Sequence, residues 1–437
     1  MLLDDLTHYR LIISIEIADY TGPQSATGYH NPKEVDLDVQ TYVLKDDEEI
    51  EGRRSILQAG EAALPQARIL ALPNKALHEE WNSLVFDEPL PPRLLRYLTR
   101  MVGMMNVPGL NLSTFNWNRL CLLHGPPGSG KSTLCRALAQ KLSIRLGDQF
   151  TDAVLVEINT NAMLSKYFSE SGKLISITFE HIRSMAEDHS KLVLAVMDEV
   201  ETIAGSRDRS TVECSDGMRA TNQLLTALDR LRALPNVIVL STSNLMEAID
   251  PAFLDRVDIK QLIPSPSPAA IYNIMRSCLN ELVRGNLVDA ATMQVSTKGL
   301  AAAKPSLPLS SSRSNASTIS SSPSTIKVAT RSSKNTVSSS PESWTVVHAP
   351  TIPTFSEMMV RLVDQPQSPG RRVWAVAQRC EGFSGRTLRR LPILGLAMYT
   401  WGGNCSLLDA VAALEAAVDQ ELKAKKGGVE EVKLSTD

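Results

Sequence analysis

The sequence lacks most of the features that would assign a chemistry from composition alone. Its six cysteines lie scattered over 437 residues, at positions 121, 135, 214, 278, 380 and 405. None forms a C-x-x-C pair or a zinc spacing, which excludes a zinc module or a dithiol centre as the organising feature. The seven histidines are as dispersed, so a His/Cys metal cage is not expected. Scattered thiols suit a reducing compartment. There is no basic excess: 45 Lys and Arg face 48 Asp and Glu, for a net charge of −3. That balance gives no support to a polyanion-binding surface, and no direct nucleic-acid contact is expected. The opening "MLLDDLTHYR" carries two aspartates where a signal peptide carries basic residues. The apolar run behind it, "LIISIEI", is too short to span a bilayer and reads as a strand. A soluble, intracellular chain without membrane contact is the expectation. No internal repeat of about 20–50 residues is visible.

What is present is a cradle for phosphate. Gly125-Pro126-Pro127-Gly128-Ser129-Gly130-Lys131-Ser132 satisfies G-x-x-x-x-G-K-[ST]. Glycines let the backbone turn tightly enough to aim successive N–H groups at a phosphate. Lys131 is expected to reach the β- and γ-phosphates of ATP, and the Ser132 hydroxyl to ligate Mg²⁺. A helix starting at Thr133 would add its positive end. An idle glycine turn is the plain alternative, but the apolar strand before it and the helix after it are the context a P-loop requires.

Some 70 residues on, "LVLAVMDE" is an apolar strand ending in Asp198 and Glu199. Acids at the carboxyl edge of a parallel sheet sit where its ligands bind. Asp198 is expected to hold Mg²⁺ through water, and Glu199 to act as general base on the attacking water. A helix N-cap is the duller reading of the same pair. The next strand ends in Ser241-Thr242-Ser243-Asn244, where Asn244 can orient that water; a turn residue is its alternative.

The wider pattern is α/β. Residues 1–95 look like an N-terminal α/β module, with "ARILALP" as one of its apolar runs. Residues 96–265 alternate strand and helix, the mark of a parallel sheet with helices on both faces. The strands read as "RLCLLHG", "AVLVEIN", "LVLAVMDEV" and "NVIVLSTSN". Residues 266–425 carry helical patterns that make a small helical lid domain, with a tail at 426–437. The lid is interrupted at 296–346 by a Ser-rich, basic insertion too poor in large apolar groups to offset its ordering entropy. A tolerated loop insertion and a phospho-regulated or docking segment both remain open for it.

Together these motifs resemble an AAA+ ATPase, from about Trp81 to about Lys425 without the insertion. The resemblance implies ATP and Mg²⁺ as cofactors and adds roles to further residues. Asn118 and Arg119 sit where the family places adenine contacts, mostly through backbone. "IDPAFLDRVDIK" is similar to the segment whose arginine reaches a neighbour's γ-phosphate, which makes Arg256 the candidate trans finger; the usual second arginine is missing here. "GFSGRTLRRLP" resembles the sensor-2 helix of the lid, with Arg386 facing the γ-phosphate in cis. In "LVEINTNAMLSKYFSESGKL", Lys166, Tyr167 and Phe168 resemble a pore loop that grips a peptide by apolar contact; an aromatic pair packed in the core is the alternative. "GSRDRSTVECSDGMR" (205–219) would be a second pore loop, with a helix resuming at about Met218.

"SKYFSESGKL", "STSNLMEAIDPAFLDRVDIKQ", "SGRTLRRLPILGLAMY" and "WNSLVFDE" are more specific. They resemble the pachytene checkpoint protein 2 family, also called thyroid receptor-interacting protein 13. That likeness implies a homohexamer that remodels HORMA-domain proteins, in many lineages through an adaptor. It further implies that closed clients become open as they are pulled into a central pore, in meiotic chromosome-axis and checkpoint control. It also implies that residues 1–95 bind substrate or adaptor, and that the protein acts in the nucleus on chromosomes, with the cytoplasm as a further place. The rival readings are an AAA+ initiator or clamp-loader-like switch acting on DNA, and a catalytically idle scaffold.

Overall fold

The computed structural model describes residues 40–46, 67–105, 107, 117–163, 168–205, 214–289, 352–401 and 405–434. Strand β1 (Ala67–Leu72) is followed by a short helix α1 (Glu80–Ser83) and a long one, α2 (Leu90–Met105). The alternating part is β2 (Leu120–His124), α3 (Lys131–Arg145), β3 (Asp152–Ile158), α4 (Thr160–Met163), α5 (Phe168–Ala186) and β4 (Lys191–Met197). It continues through α6 (Cys214–Leu231), β5 (Val237–Ser243), α7 (Pro251–Asp255) and β6 (Ile259–Leu262). The six strands form one sheet in the order β1-β3-β4-β5-β2-β6.

Strands β2 to β6 run parallel, and both faces of the sheet are covered. Successive side chains of a strand point to opposite faces, so each strand must be apolar at nearly every position. Strand β4 shows this. Leu192, Leu194 and Val196 join the core under α2 and α3, while Val193, Ala195 and Met197 join the core under α5 and α6. The same split divides Cys121 and Leu123 from Leu120 and Leu122 in β2.

Two features depart from the sequence reading. Strand β1 comes from the stretch set aside as an N-terminal module, yet it pairs antiparallel with β3, Ala67 opposite Ile158. Leu70 and Leu72 enter the sheet core, and so does the inner face of α2 (Leu90, Leu94, Leu95, Leu98, Met101 and Val102). The sheet unit therefore starts at or before Ala67, ahead of residue 96. An antiparallel strand delivered from upstream breaks the strand–helix alternation, so the pattern alone does not attach it. Strand β6 was also not expected. It is a short edge strand whose Lys260 and Leu262 are exposed.

The lid is built from α8 (Pro268–Arg284), β7 (Val288–Asp289), α9 (Phe355–Arg361), α10 (Pro369–Arg379), α11 (Gly385–Tyr399), β8 (Cys405–Ser406) and α12 (Leu407–Leu434). It has its own core, centred on Tyr272. The Tyr272 ring meets Phe355 at 5.9 Å and Trp374 at 6.4 Å between centroids, and its hydroxyl donates to Pro353 O at 2.9 Å. Ile352 is fixed from both sides: Arg276 and Asn280 donate to its carbonyl, and its N–H donates back to Asn280. The expected Ser-rich insertion lies outside the described residues. Helix α12 runs on to Leu434, past the expected boundary at 425. Helix α10, not expected, hides its start in "QSPGRR", where Ser368 is the N-cap and Pro369 the first helical residue.

Candidate active site

The loop between β2 and α3 is shaped by glycines in backbone regions closed to other residues. Gly125 has φ 147° and Gly128 φ 72°. A Cβ on Gly125 would stand 2.1 Å from Ile263 O, and one on Gly128 2.8 Å from the Ser384 Cβ. Helix α3 begins at Lys131, two residues before the expected Thr133, so Lys131, Ser132 and Thr133 form its first turn. The Lys131 ammonium is turned onto the loop itself, donating to Gly125 O and Pro126 O at 2.8 Å each. Burial pulls its pKa below the ordinary lysine value, against the opposing pull of Asp198, Glu201 and Glu199. The Ser129 hydroxyl is buried without a hydrogen-bond partner among the described residues. A buried lysine bonded only to carbonyls and an orphaned hydroxyl in a glycine loop fit an anion.

The two acids follow β4 directly. Ser132 Oγ donates to Asp198 Oδ1 at 2.7 Å. The same oxygen accepts from Thr242, and Thr160 Oγ1 donates to the Asp198 carbonyl at 2.6 Å. A hydroxyl and a carboxylate converging from the two motifs are hard oxygen ligands of the kind Mg²⁺ takes. Glu199 has φ 52°, a left-handed conformation rare outside glycine. It is held there by its N–H, which donates to Thr242 Oγ1 at 3.1 Å. Its carboxylate faces two amides, Asn161 at 3.4 Å and Asn244 at 3.5 Å, both long for hydrogen bonds. The Asn244 backbone is tied instead to Glu201, whose Oε1 accepts its N–H at 3.0 Å. An open cleft of about 370 Å³ runs beside these groups, with Ser132, Asp198 and Asn159 in its wall.

The lid reaches this site through its backbone. Gly385 N–H donates to Gly128 O at 2.9 Å, so helix α11 starts on the P-loop and Arg386 stands in its first turn. The stretch "WNSLVFDE" closes over the same place. Leu84 and Phe86 line the space where a Cβ on Gly130 would stand, and Val85 packs on the lid core. Ser267 donates to Asp87, and Arg389 to Ser83 O. Residues 83–87 thus touch both the P-loop side and the lid. Neither this convergence nor the roles of Thr160, Asn161, Thr242 and Glu201 were read from the sequence. The only signal was a run of polar residues just past a strand end.

Asn118 and Arg119 are corrected. Both precede β2, at the amino edge of the sheet, roughly 20 Å along the strand from the P-loop. The Asn118 N–H donates to the Asp258 carboxylate and its amide to Arg256 O. Arg119 is buried and donates to the carbonyls of Leu231, Arg232 and Val237. Burial lowers its pKa to about 10, so it keeps its charge while capping the end of α6. These groups are committed within the protein, away from any base bound at the P-loop. Arg256 shares that edge, three residues before β6, whose Ile259 pairs with Cys121. Lys166 and Tyr167 lie outside the described residues; Phe168 is the first residue of α5. The proposed second pore loop is shorter than expected at its far end, because α6 begins at Cys214 and not near Met218. Gly217, read as a loop residue, belongs to the helix's first turn.

A model of the ATPase family associated with various cellular activities (AAA) matches residues 121–265. A second model, the TRIP13-like AAA+ ATPase lid C-terminal domain, matches residues 336–422. The chain is 33% identical over 411 residues to the pachytene checkpoint protein 2 homolog of Danio rerio, covering 93% of this chain and 81% of that one. It is 34% identical over 363 residues to the homolog of Xenopus tropicalis, covering 83% and 71%. The chain belongs to the pachytene checkpoint protein 2 family. A solved structure, that of C. elegans PCH-2, superposes with a TM-score of 0.59 at 28% identity, covering 82% of this chain and 76% of that one. The chain is an AAA+ enzyme that binds and hydrolyses ATP, with the separate lid described above.

Proposed function

We propose that the protein is a ring-forming, ATP-driven remodeller of HORMA-domain proteins, taking clients directly or through an adaptor. Family membership supports the client class, and the nucleus, on chromosomes, is the proposed place of action. The observation that carries the reading is the contact of Ser132 with Asp198, flanked by Glu199 and topped by the lid at Gly385. In this reading Lys131 and the P-loop N–H groups hold the β- and γ-phosphates. Ser132 and Asp198 would hold Mg²⁺, whose charge would offset that of the phosphates. Glu199 takes the proton of the attacking water while Asn244 orients it. Arg386 senses the γ-phosphate from the lid, and Arg256 serves the site of the neighbouring copy. Residues 83–87 cover the base in place of Asn118. Lys166, Tyr167 and Phe168 grip the client at the pore, and six copies close the ring.

The test is Glu199→Gln in the assembled protein. ATP binding should persist, turnover should fall to background, and a HORMA-domain client should stay bound. Normal turnover would remove the base assignment, and a client neither held by this variant nor changed in conformation by the wild type would remove the remodelling role. A DNA-acting switch is the second reading, favoured by Arg386 beside the P-loop. It requires a DNA affinity that falls steeply with salt.

A further inference from the structure

Arg256 is held by three hydrogen bonds from its guanidinium. Its Nε and Nη2 donate to the two carboxylate oxygens of Asp229 at 2.8 and 2.9 Å, and Nη1 donates to Ala252 O at 2.8 Å. The pair is partly exposed, with side-chain exposures of 25% and 49%. A partly exposed pair of this kind contributes modestly to folding stability even with a bidentate fork. What the pair supplies is orientation, since a bidentate fork fixes the plane of a guanidinium. Both ends are anchored. Asp229 stands in the last turn of α6, whose terminal carbonyls are held by buried Arg119, and Arg256 O is held by the Asn118 amide. The hydrogen bonds from Arg256 keep the Asp229 carboxyl below the usual carboxylate range, so the fork stays ionised.

A guanidinium has five N–H donors. Among the described residues three are engaged here, which leaves one on each Nη. Because Asp229 spans Nε and Nη2, the remaining Nη2 N–H lies on the end-on side, where a phosphate oxygen can accept it. A carboxylate placed to withhold the arginine would cover that side; Asp229 takes the side-on edge and leaves that N–H open.

We propose that Asp229 is a positioning residue for Arg256: it clamps the side-on edge so that the end-on side is presented, already oriented, to the phosphate held by a neighbouring copy. The proposal rests on the reading of Arg256 as a finger acting in trans. Ordering the long side chain within the protomer removes that entropy loss from the transition state. No group of the chain's own P-loop takes part, because the pair lies at the opposite edge of the sheet.

The experiment uses the full-length, assembled protein with Asp229→Ala, Asp229→Asn and Asp229→Glu. Asp229→Ala should lower kcat on the order of 10-fold or more, the scale of a misplaced catalytic group. Asp229→Glu should recover most of the loss, Asp229→Asn should stay low, and binding of a fluorescent ATP analogue should be unchanged in all three. The decisive readout is mixing. Rings co-assembled from Asp229→Ala and Glu199→Gln chains should turn over faster than the average of the two alone, because an intact Glu199 then faces an intact finger. Arg256→Ala mixed with Glu199→Gln is the parallel control. If that control fails to recover, the finger reading falls and the proposal with it. If the control recovers while Asp229→Ala works at or above the wild-type rate, or gains nothing on mixing, the finger stands and the role of Asp229 is refuted.

Discussion

At the scale of single residues, backbone conformation constrains the site more tightly than side-chain chemistry. Gly125 combines φ 147° with a position where a Cβ would meet a carbonyl oxygen at 2.1 Å. Neither partner can yield, since Ile263 N–H is bound to His124 O and the Gly125 N–H to Ser243 O. Gly125→Ala should therefore destabilise the protein by about 3 kcal/mol or more, combining left-handed strain with a backbone clash. Gly172 is the contrast. It lies within α5 with open space where a Cβ would go, so Gly172→Ala should stabilise by about 0.5–1 kcal/mol through helix propensity. Urea unfolding of the two variants should give opposite signs, and a shared sign would show that space and φ do not govern these positions. The P-loop and the Asp198–Glu199 pair were legible in the sequence because each is contiguous. Thr242 and Asn161 were not, because the sheet brings them to Asp198 and Glu199 from separate strand ends. Asn118 was misplaced for a related reason: adjacency to the P-loop strand in sequence does not say which end of the strand a residue occupies.

At the scale of elements, the upstream stretch is tied to the sheet by a partly buried charge cluster. Arg136 on α3 donates to Glu80 on α1 at 3.0 Å and approaches Glu157 on β3 at 3.5 Å, with all three side chains at most one-third exposed. Desolvation raises the Glu80 pKa even though Arg136 pulls it down. Removing Arg136 leaves two acids facing each other without their shared cation. Arg136→Ala should cost about 2–3 kcal/mol, somewhat less than a fully buried pair, and Glu80→Ala added to it should return part of that loss. Additive losses in a double-mutant cycle would show that the three groups do not act as a unit. This cluster also marks where the sequence reading stopped. Strands β2 to β5 announced themselves as continuous apolar runs, because a sheet covered on both faces allows little else. Strand β1 also shows as an apolar run, "ARILALP", but it and helix α1 join this sheet through register with β3 and through this cluster, neither of which local pattern encodes.

At the scale of the whole molecule, the two ends of the parallel sheet hold different chemistry. The carboxyl ends of β2, β4 and β5 carry the P-loop, Asp198, Glu199 and Asn244, and the lid sits over the P-loop. The amino edge carries Arg256 with Asp229. Along β2 the two ends are separated by roughly 20 Å, beyond the reach of one arginine side chain, so a folded protomer cannot bring its own Arg256 to its own phosphate. If Arg256 takes part in hydrolysis, a single chain is half a catalyst. The expected consequence is that specific ATPase activity depends on protein concentration, rising as copies assemble and falling on dilution toward the rate of isolated chains. Because a finger of this kind contributes on the order of 10³-fold or more in rate, the fall should be large. Arg256→Ala should assemble over the same concentration range, followed by light scattering, yet show almost none of the rise. A wild-type rate per chain that stayed constant through full dissociation would mean that each protomer holds a complete site. The amino-edge arginine would then have to be explained by its contacts within the chain alone.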